Sequence, residues 1–291
     1  MRQLIYITDG KVSDIRGDRF NLFVSFSDSI EDELFKECEH CYFQLCDFEN
    51  YIKKTRPSSI RMKFDSQDEL EYFIELFSPF VTSIDLVSKF NREFDLTPLE
   101  KCSELESVQM YWNTKQSTLW DVKKNTKLKY FEIMDYYKIS DLSVLRGSTI
   151  EELRLYGCNS LSSFVSKMHV DDLGFILDMP YLRKLDLDII KDESSEYYLN
   201  LLSKCHFLTR LYITENFFTF QQYAWLQAHL PNVKEGLDGV YNGGDFYSVI
   251  GKRTPKSLDD AKKAEIYQKR YNDLILKYKD RSEPPRDNEK D

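Results

Sequence analysis

The chain has 291 residues, of which 42 % are hydrophobic and 31 % charged, and it contains 19 Tyr and 20 Phe. This composition predicts a folded protein with a large core and argues against general disorder. The net charge of −9 argues against nucleic acid and anionic membranes as partners, because both usually bind clustered Lys and Arg. No apolar run approaches the roughly 18 residues that a transmembrane helix needs, so we expect a cytoplasmic protein.

Residues 1–54 predict a small β-rich cap. Strand-like runs lie at Leu4–Thr8, Asn21–Phe26 and Tyr42–Phe48, with a turn at Asp9-Gly10 between the first two. This segment lacks the periodicity of the residues that follow it, so we expect it to shield the end of a repetitive domain.

A small cluster of cysteines within this cap raises the possibility of a zinc site. Cys38, His40, Cys41 and Cys46 include a CxxC spacing and supply the four ligands that tetrahedral zinc requires. No second CxxC follows, and Cys46 falls within an alternating strand-like run, where an inward apolar role is expected. We therefore favour ordinary packing and expect neither metal nor cofactor, with zinc as the alternative.

A pattern of three apolar positions, L-x-x-L-x-L, recurs through the middle of the chain at intervals of 22 to 26 residues, with one longer step of 32 residues. Six copies are clear, a weaker one precedes them and a degenerate one follows at Val233. The copies are Pro57/Ile60/Met62, Val81/Ile84/Leu86, Leu105/Val108/Met110, Leu128/Phe131/Ile133, Ile150/Leu153/Leu155, Leu182/Leu185/Leu187 and Leu208/Leu211/Ile213.

Each copy predicts a short strand with one buried face, because its last two apolar positions alternate with polar ones. Helical patterns lie between strands at Gln67–Phe77, Gly174–Met179 and Ser195–Cys205, and an insertion around Asn159–Asp171 explains the longer step. A single strand-plus-helix unit cannot bury its own apolar face, so we expect the units to stack over residues 55–237.

The repeat resembles the leucine-rich repeat, whose consensus has Asn or Cys three residues after the last strand position. Asn113, Cys158 and Asn216 match it here, whereas Lys89, Tyr136 and Ile190 replace it in other copies, so the array is irregular and of bacterial type. The resemblance implies an α/β solenoid with a curved parallel sheet inside and helices outside. It also implies that the matching side chains hydrogen-bond turns of neighbouring repeats.

Residues 238–291 predict a C-terminal cap. Ser257 is the expected N-cap of a helix that runs to about Lys277, and its apolar stripe is expected to cover the last repeat. A Lys- and Tyr-rich helix after a Gly-Lys turn is similar to the C-terminal segments of some bacterial leucine-rich-repeat proteins. Glu283–Asp291, with two prolines and several charges, predicts a frayed, disordered tail.

The sequence offers no recognisable catalytic apparatus. It lacks HExxH, G-x-S-x-G, G-x-x-x-x-G-K-[ST] and G-x-G-x-x-G motifs. Cys102 and Cys205 each stand three residues before a repeat, a place where core thiols are expected rather than nucleophiles. We therefore expect a protein that is not an enzyme.

Polar side chains that alternate with the buried strand positions are the candidate partner-binding residues. Tyr and Arg are frequent among them, as they are in protein interfaces. The set is Asp85, Gln109, Tyr111, Tyr130, Glu132, Arg154, Tyr156, Lys184, Asp186, Arg210 and Tyr212. These residues predict a monomeric, non-enzymatic interaction module that binds a partner protein or peptide on its concave strand face. The alternative is an immunity or effector-type protein that grips and neutralises one specific enzyme.

Overall fold

The computed structural model describes residues 4–7, 26–27, 49–50, 52–54, 56, 58–64, 66–88, 92–111, 113, 115–136, 138–157, 167–214, 217–251, 258, 260–287 and 289. The chain forms two compact units, Met1–Tyr181 and Leu182–Asp291. The predicted strand at Tyr42–Phe48, the turn at Asp9-Gly10 and the four candidate zinc ligands lie outside the described residues.

The first unit is built on a sheet of seven strands. These are β1 (Leu4–Ile7), β2 (Phe26–Ser27), β3 (Ser59–Phe64), β4 (Ser83–Ser88), β5 (Ser107–Tyr111), β6 (Tyr130–Met134) and β7 (Glu152–Tyr156). Their order is β2-β1-β3-β4-β5-β6-β7. Every pair is parallel except β1 with β2 at the edge, so the predicted α/β class with a parallel sheet is confirmed.

The repeated apolar positions form continuous rows across this sheet. Ile84 of β4 lies beside Val108 of β5, and the row continues into β6 and β7. All described members of the predicted triplets in this unit are at most 1 % exposed, which confirms that they face the core. Burial of each such side chain contributes about 1.5–3 kcal/mol, so the rows are the main source of stability of the unit.

The helical segments that connect these strands are mostly shorter than the sequence predicts. An α-helix, α1 (Gln67–Phe77), forms where the apolar spacing predicts one, and Ser66 is its N-cap. The other described connections contain 3-10 turns at Thr97–Lys101, Val122–Lys124, Ser143–Leu145 and Leu173–Asp178, the last of which replaces the predicted helix at Gly174–Met179.

Two buried asparagines hold consecutive connections together. The Asn113 side chain donates to the carbonyl of Arg92 at 2.8 Å and accepts from the amide of Gln116, which confirms the bonding predicted from the resemblance. Asn125 is also fully buried, and it donates to the carbonyls of Leu99 and Cys102, both at 2.9 Å. Cys158 and Asn216 lie outside the described residues.

In its described residues, the second unit contains a parallel strand pair, a hairpin and three helices. The strands are β8 (Lys184–Leu187), β9 (Arg210–Ile213), β10 (Val240–Asn242) and β11 (Tyr247–Val249), and the helices are α2 (Ser195–Leu202), α3 (Phe220–His229) and α4 (Ala261–Tyr278). The triplets at Leu182 and Leu208 are buried here as predicted. Helix α4 packs against α3, with the Phe220 and Tyr271 rings 5.2 Å apart.

The C-terminal helix begins later than predicted. Asp260 is its N-cap, because its carboxylate accepts from the amide of Lys262 at 2.9 Å, and Ser257 lies outside the described residues. Its buried positions are Ala264, Tyr271, Leu274 and Tyr278, which agree closely with the apolar stripe that the sequence predicts.

The segment after α4 differs from the predicted frayed tail. Pro284 and Pro285 are buried, and the Gln222 amide donates to the carbonyl of Pro285 and to Asp287, both at 2.9 Å. Ser195 donates to the same carboxylate at 2.6 Å. A proline-rich, charged segment predicts disorder only when no partner surface exists, and here α2 and α3 supply one.

Acid is expected to release this segment. Hydrogen bonds from Ser195 and Gln222 lower the pKa of Asp287, so its stabilising effect is present above the ordinary carboxyl range and is lost as the pH falls through the lowered value. The buried Trp225 indole, which donates to the carbonyl of Arg281 at 2.9 Å, reports the docking. We expect the hydrogen-exchange protection factor of this indole N–H to fall between pH 7 and about 3.

Asp287→Ala should give the same loss of indole protection already at pH 7. Asp280→Ala, at an exposed position just after α4, is the matched control and should leave the protection factor unchanged. Equal protection in wild type and Asp287→Ala at pH 7 would show that this carboxylate does not hold the segment.

Candidate partner-binding surface

In the first unit, the side of the sheet opposite the buried rows carries a row of polar side chains. Arg61, Asp85, Gln109, Glu132 and Arg154 are register neighbours on β3 to β7, because parallel pairing places equivalent repeat positions side by side. Side chains of adjacent strands at such positions lie close enough to interact directly. The sequence prediction brought four of these five residues together and missed Arg61.

Two of the predicted contact residues in the first unit are buried rather than exposed. Asp85 and Glu132 were expected to face a partner, but each is only 5 % exposed. Arg61 binds Asp85 through its Nε at 2.9 Å and a terminal nitrogen at 2.8 Å, and Gln109 donates to the other carboxylate oxygen at 3.1 Å. Burial raises the pKa of Asp85, while Arg61 opposes the shift.

Tyrosine rings cover the buried carboxylate of Glu132. The Tyr130 hydroxyl donates to Glu132, and the Arg154 guanidinium lies 5.3 Å from the centroid of the Tyr130 ring. Arg154 also binds Glu152 through two nitrogens, at 2.8 and 2.6 Å. Burial, followed by the Glu132 hydrogen bond, raises the pKa of Tyr130, so the phenol is neutral at physiological pH.

A second tyrosine and guanidinium pair lies further along the same face. The Tyr111 hydroxyl donates to the side-chain oxygen of Gln109, and Arg61 lies 5.9 Å from the Tyr111 ring centroid. Tyr111, Tyr130 and Tyr156 are half-buried, so part of each ring reaches solvent. The exposed part of this surface is therefore aromatic and guanidinium, and the carboxylates lie below it.

A row of serines borders the polar row. Ser59, Ser83 and Ser107 are half-buried and continue the register row of Tyr130, in which Ser107 is its direct neighbour. We define the strand face as Arg61, Ser107, Tyr111, Tyr130, Arg154 and Tyr156.

The remaining predicted residues lie in the second unit. Asp186 was expected to contact a partner, but it is 3 % exposed and is covered by Arg210, whose nitrogens lie 3.3 and 3.2 Å from its two oxygens. Lys184 is exposed, and so is Tyr212. The alternation of a strand predicts which side of the sheet a residue faces, but not which neighbour 24 positions away covers it.

The thiols in the described residues have no catalytic character. Cys102 and Cys205 are fully buried, and burial raises the pKa of both to about 12, which confirms them as core residues. Within the described ranges, no group of three His, Cys, Asp or Glu side chains is arranged to hold a metal ion.

The part of the chain that the structure describes contains no helix long and apolar enough to cross a membrane. No family model matches the chain, and no curated protein matches it.

Proposed function

We propose that the chain is a leucine-rich-repeat protein that binds a partner protein or peptide on the strand face, without catalysing a reaction. The observation that carries the proposal is the pair of half-exposed tyrosines, Tyr111 and Tyr130, each under a guanidinium that a buried carboxylate holds.

Pre-organisation supports a binding role. Ordering a mobile side chain on association costs about 0.5–1.5 kcal/mol, and these rings and guanidiniums are already held by hydrogen bonds and stacking. Tyr and Arg dominate the energetics of protein interfaces when they are rigid and partly exposed. Because Asp85 and Glu132 are paired with arginines, the exposed part of the surface offers ring area and guanidinium groups.

Three features support the leucine-rich-repeat part of the proposal. Equivalent positions of successive repeats are in register, and Asn113 joins two connections. The residue before each of β4, β5, β6 and β7 makes the same backbone bond to the previous repeat. Glu106 to Thr82 and Lys129 to Glu106, at 2.7 and 2.8 Å, are two of these repeated bonds. A curved solenoid with the strand face on its concave side is the arrangement that we propose.

Two variants test the strand face by different means. Tyr156→Ala removes ring area, and Ser107→Arg places a bulky side chain beside Tyr130. A partner captured from source-cell lysate with the wild-type chain should bind each variant about 10- to 30-fold more weakly, as loss or blocking of a central aromatic contact does. The measurement is an equilibrium titration of the purified partner.

The controls make the same changes elsewhere. Tyr181→Ala removes an exposed tyrosine outside the strands, and Ser103→Arg adds the same bulk and charge in an exposed turn. Both should bind as the wild type does. Full binding by Tyr156→Ala and Ser107→Arg would place the partner elsewhere. If the captured partner is an enzyme that the wild-type chain inhibits and Ser107→Arg does not, the neutralising role is supported.

A further inference from the structure

A small concavity lies in the second unit. It has a volume of about 230 Å³, and Tyr212, Gly236, Asp238 and Tyr241 line it. The two tyrosines are 47 % and 62 % exposed. Pockets for drug-sized ligands usually exceed about 300 Å³, so this one suits a single side chain. We call these four residues the acidic tyrosine pocket.

The segment that carries Asp238 is held on both sides. The Leu211 amide of β9 donates to the carbonyl of Glu235 at 3.1 Å, and the Tyr271 hydroxyl of α4 donates to the carbonyl of Leu237 at 2.7 Å. Gly236 has φ +97°, and a Cβ there would lie 2.2 Å from the carbonyl oxygen of Leu211. The pocket wall is therefore formed before any ligand binds.

Negative charge dominates around Tyr212. Burial raises the pKa of its phenol, and Glu235, Asp186 and Asp238 raise it further, while Arg210 alone lowers it. The Arg210 guanidinium lies 5.7 Å from the Tyr212 ring centroid and is bound to Asp186. Three carboxylates against one guanidinium leave a local excess of negative charge beside an exposed ring face.

We propose that the acidic tyrosine pocket binds a lysine or arginine side chain of a partner polypeptide. A cation over a tyrosine ring is attracted by the ring quadrupole, and Asp238 supplies the opposite charge. The net charge of −9 steers a basic partner toward the chain. The inference goes beyond the strand-face proposal, because it concerns another surface and either one can fail alone.

Capped amino acids test this pocket directly on the full chain. The probe is Nα-acetyl-lysine N-methylamide, which keeps its side-chain ammonium group. Titrated into protein with ¹³C-labelled tyrosine rings, it should shift the Tyr212 and Tyr241 signals with a Kd on the order of 1–10 mM. The capped norleucine analogue has the same carbon chain without the charge, and we expect it to bind at least about tenfold more weakly. Equal binding of the two probes would overturn the assignment to a cation.

Variants connect the binding to the named residues. Asp238 is exposed, so Asp238→Asn should fold normally, and we expect it to weaken lysine-probe binding about tenfold. Asp273→Asn, at an exposed position of α4, makes the same charge change and should not alter the Kd. Unchanged binding by Asp238→Asn would contradict the pocket.

A further pair of probes distinguishes a polypeptide from a free polyamine. A capped tri-lysine peptide and spermidine carry equal charge, and we expect the peptide to bind more tightly because its backbone follows the pocket rim. Tighter binding of spermidine would overturn the polypeptide assignment. Loss of lysine-probe binding in Tyr241→Ala with unchanged capture of the strand-face partner would support the pocket independently of the strand face.

Discussion

Replacing Asn125 by alanine is expected to lower the free energy of unfolding by about 3–5 kcal/mol, the largest change we predict for a single residue. Its side chain accepts from the Trp120 indole at 2.6 Å and donates to the carbonyls of Leu99 and Cys102. Removal leaves the Trp120 indole without an acceptor, at a cost of about 1–3 kcal/mol, and takes one of two hydrogen bonds from each carbonyl, at about 0.5–1.5 kcal/mol each. Urea denaturation followed by tryptophan fluorescence measures the change.

Asn232→Ala is the matched control for this prediction. Its side chain also donates to a backbone carbonyl, that of His206 at 2.9 Å, but the residue is exposed. Water replaces the lost bond there, so we expect a change below about 1 kcal/mol. Equal effects of the two substitutions would mean that burial of Asn125 does not determine its contribution.

Arg61→Met is expected to destabilise the chain by about 2–3 kcal/mol. Methionine preserves much of the apolar stem but leaves the Asp85 carboxylate, at 5 % exposure, with no guanidinium at 2.8 Å. Breaking a buried ion pair from one side is more harmful than removing both charges, so Arg61→Met with Asp85→Asn should recover most of the lost stability. A double-mutant cycle by urea denaturation measures this coupling.

Acid should reduce the loss of folding stability that Arg61→Met causes. Burial already raises the pKa of Asp85, and loss of Arg61 raises it further. A raised carboxyl pKa in the folded state favours folding at low pH, and the benefit is lost as the pH rises through that value. The deficit should therefore shrink between pH 7 and about 4. Arg146→Met, whose partners Asp172 and Asp178 are exposed, should lose under about 1 kcal/mol at either pH.

The sequence predicted the elements that depend on local periodicity. Val108 and Met110 alternate with polar residues and recur in each repeat, so their burial and strand were predictable. Helix α1 follows from the apolar spacing of Gln67–Phe77. These signals lie within a few residues of one another, where sequence patterns are informative.

The sequence did not predict which side chains cover one another when they lie far apart along the chain. Asp85 alternates like an exposed residue, yet Arg61, 24 positions earlier, covers it. The weak first repeat concealed Arg61, although extending the register from Ile60 and Met62 would have placed it beside Asp85. The docking of Asp287 depends on Ser195, 92 positions away, so no local pattern signals it.

The most direct test of the strand-face proposal is radical footprinting of the complex with the captured partner. We expect oxidation of Tyr111, Tyr130 and Tyr156 to fall several-fold on binding, while Tyr181 and Tyr197, which are exposed outside the strands, react as in the free chain. Protection of Tyr181 or Tyr197, with no change at the three strand tyrosines, would contradict the proposal.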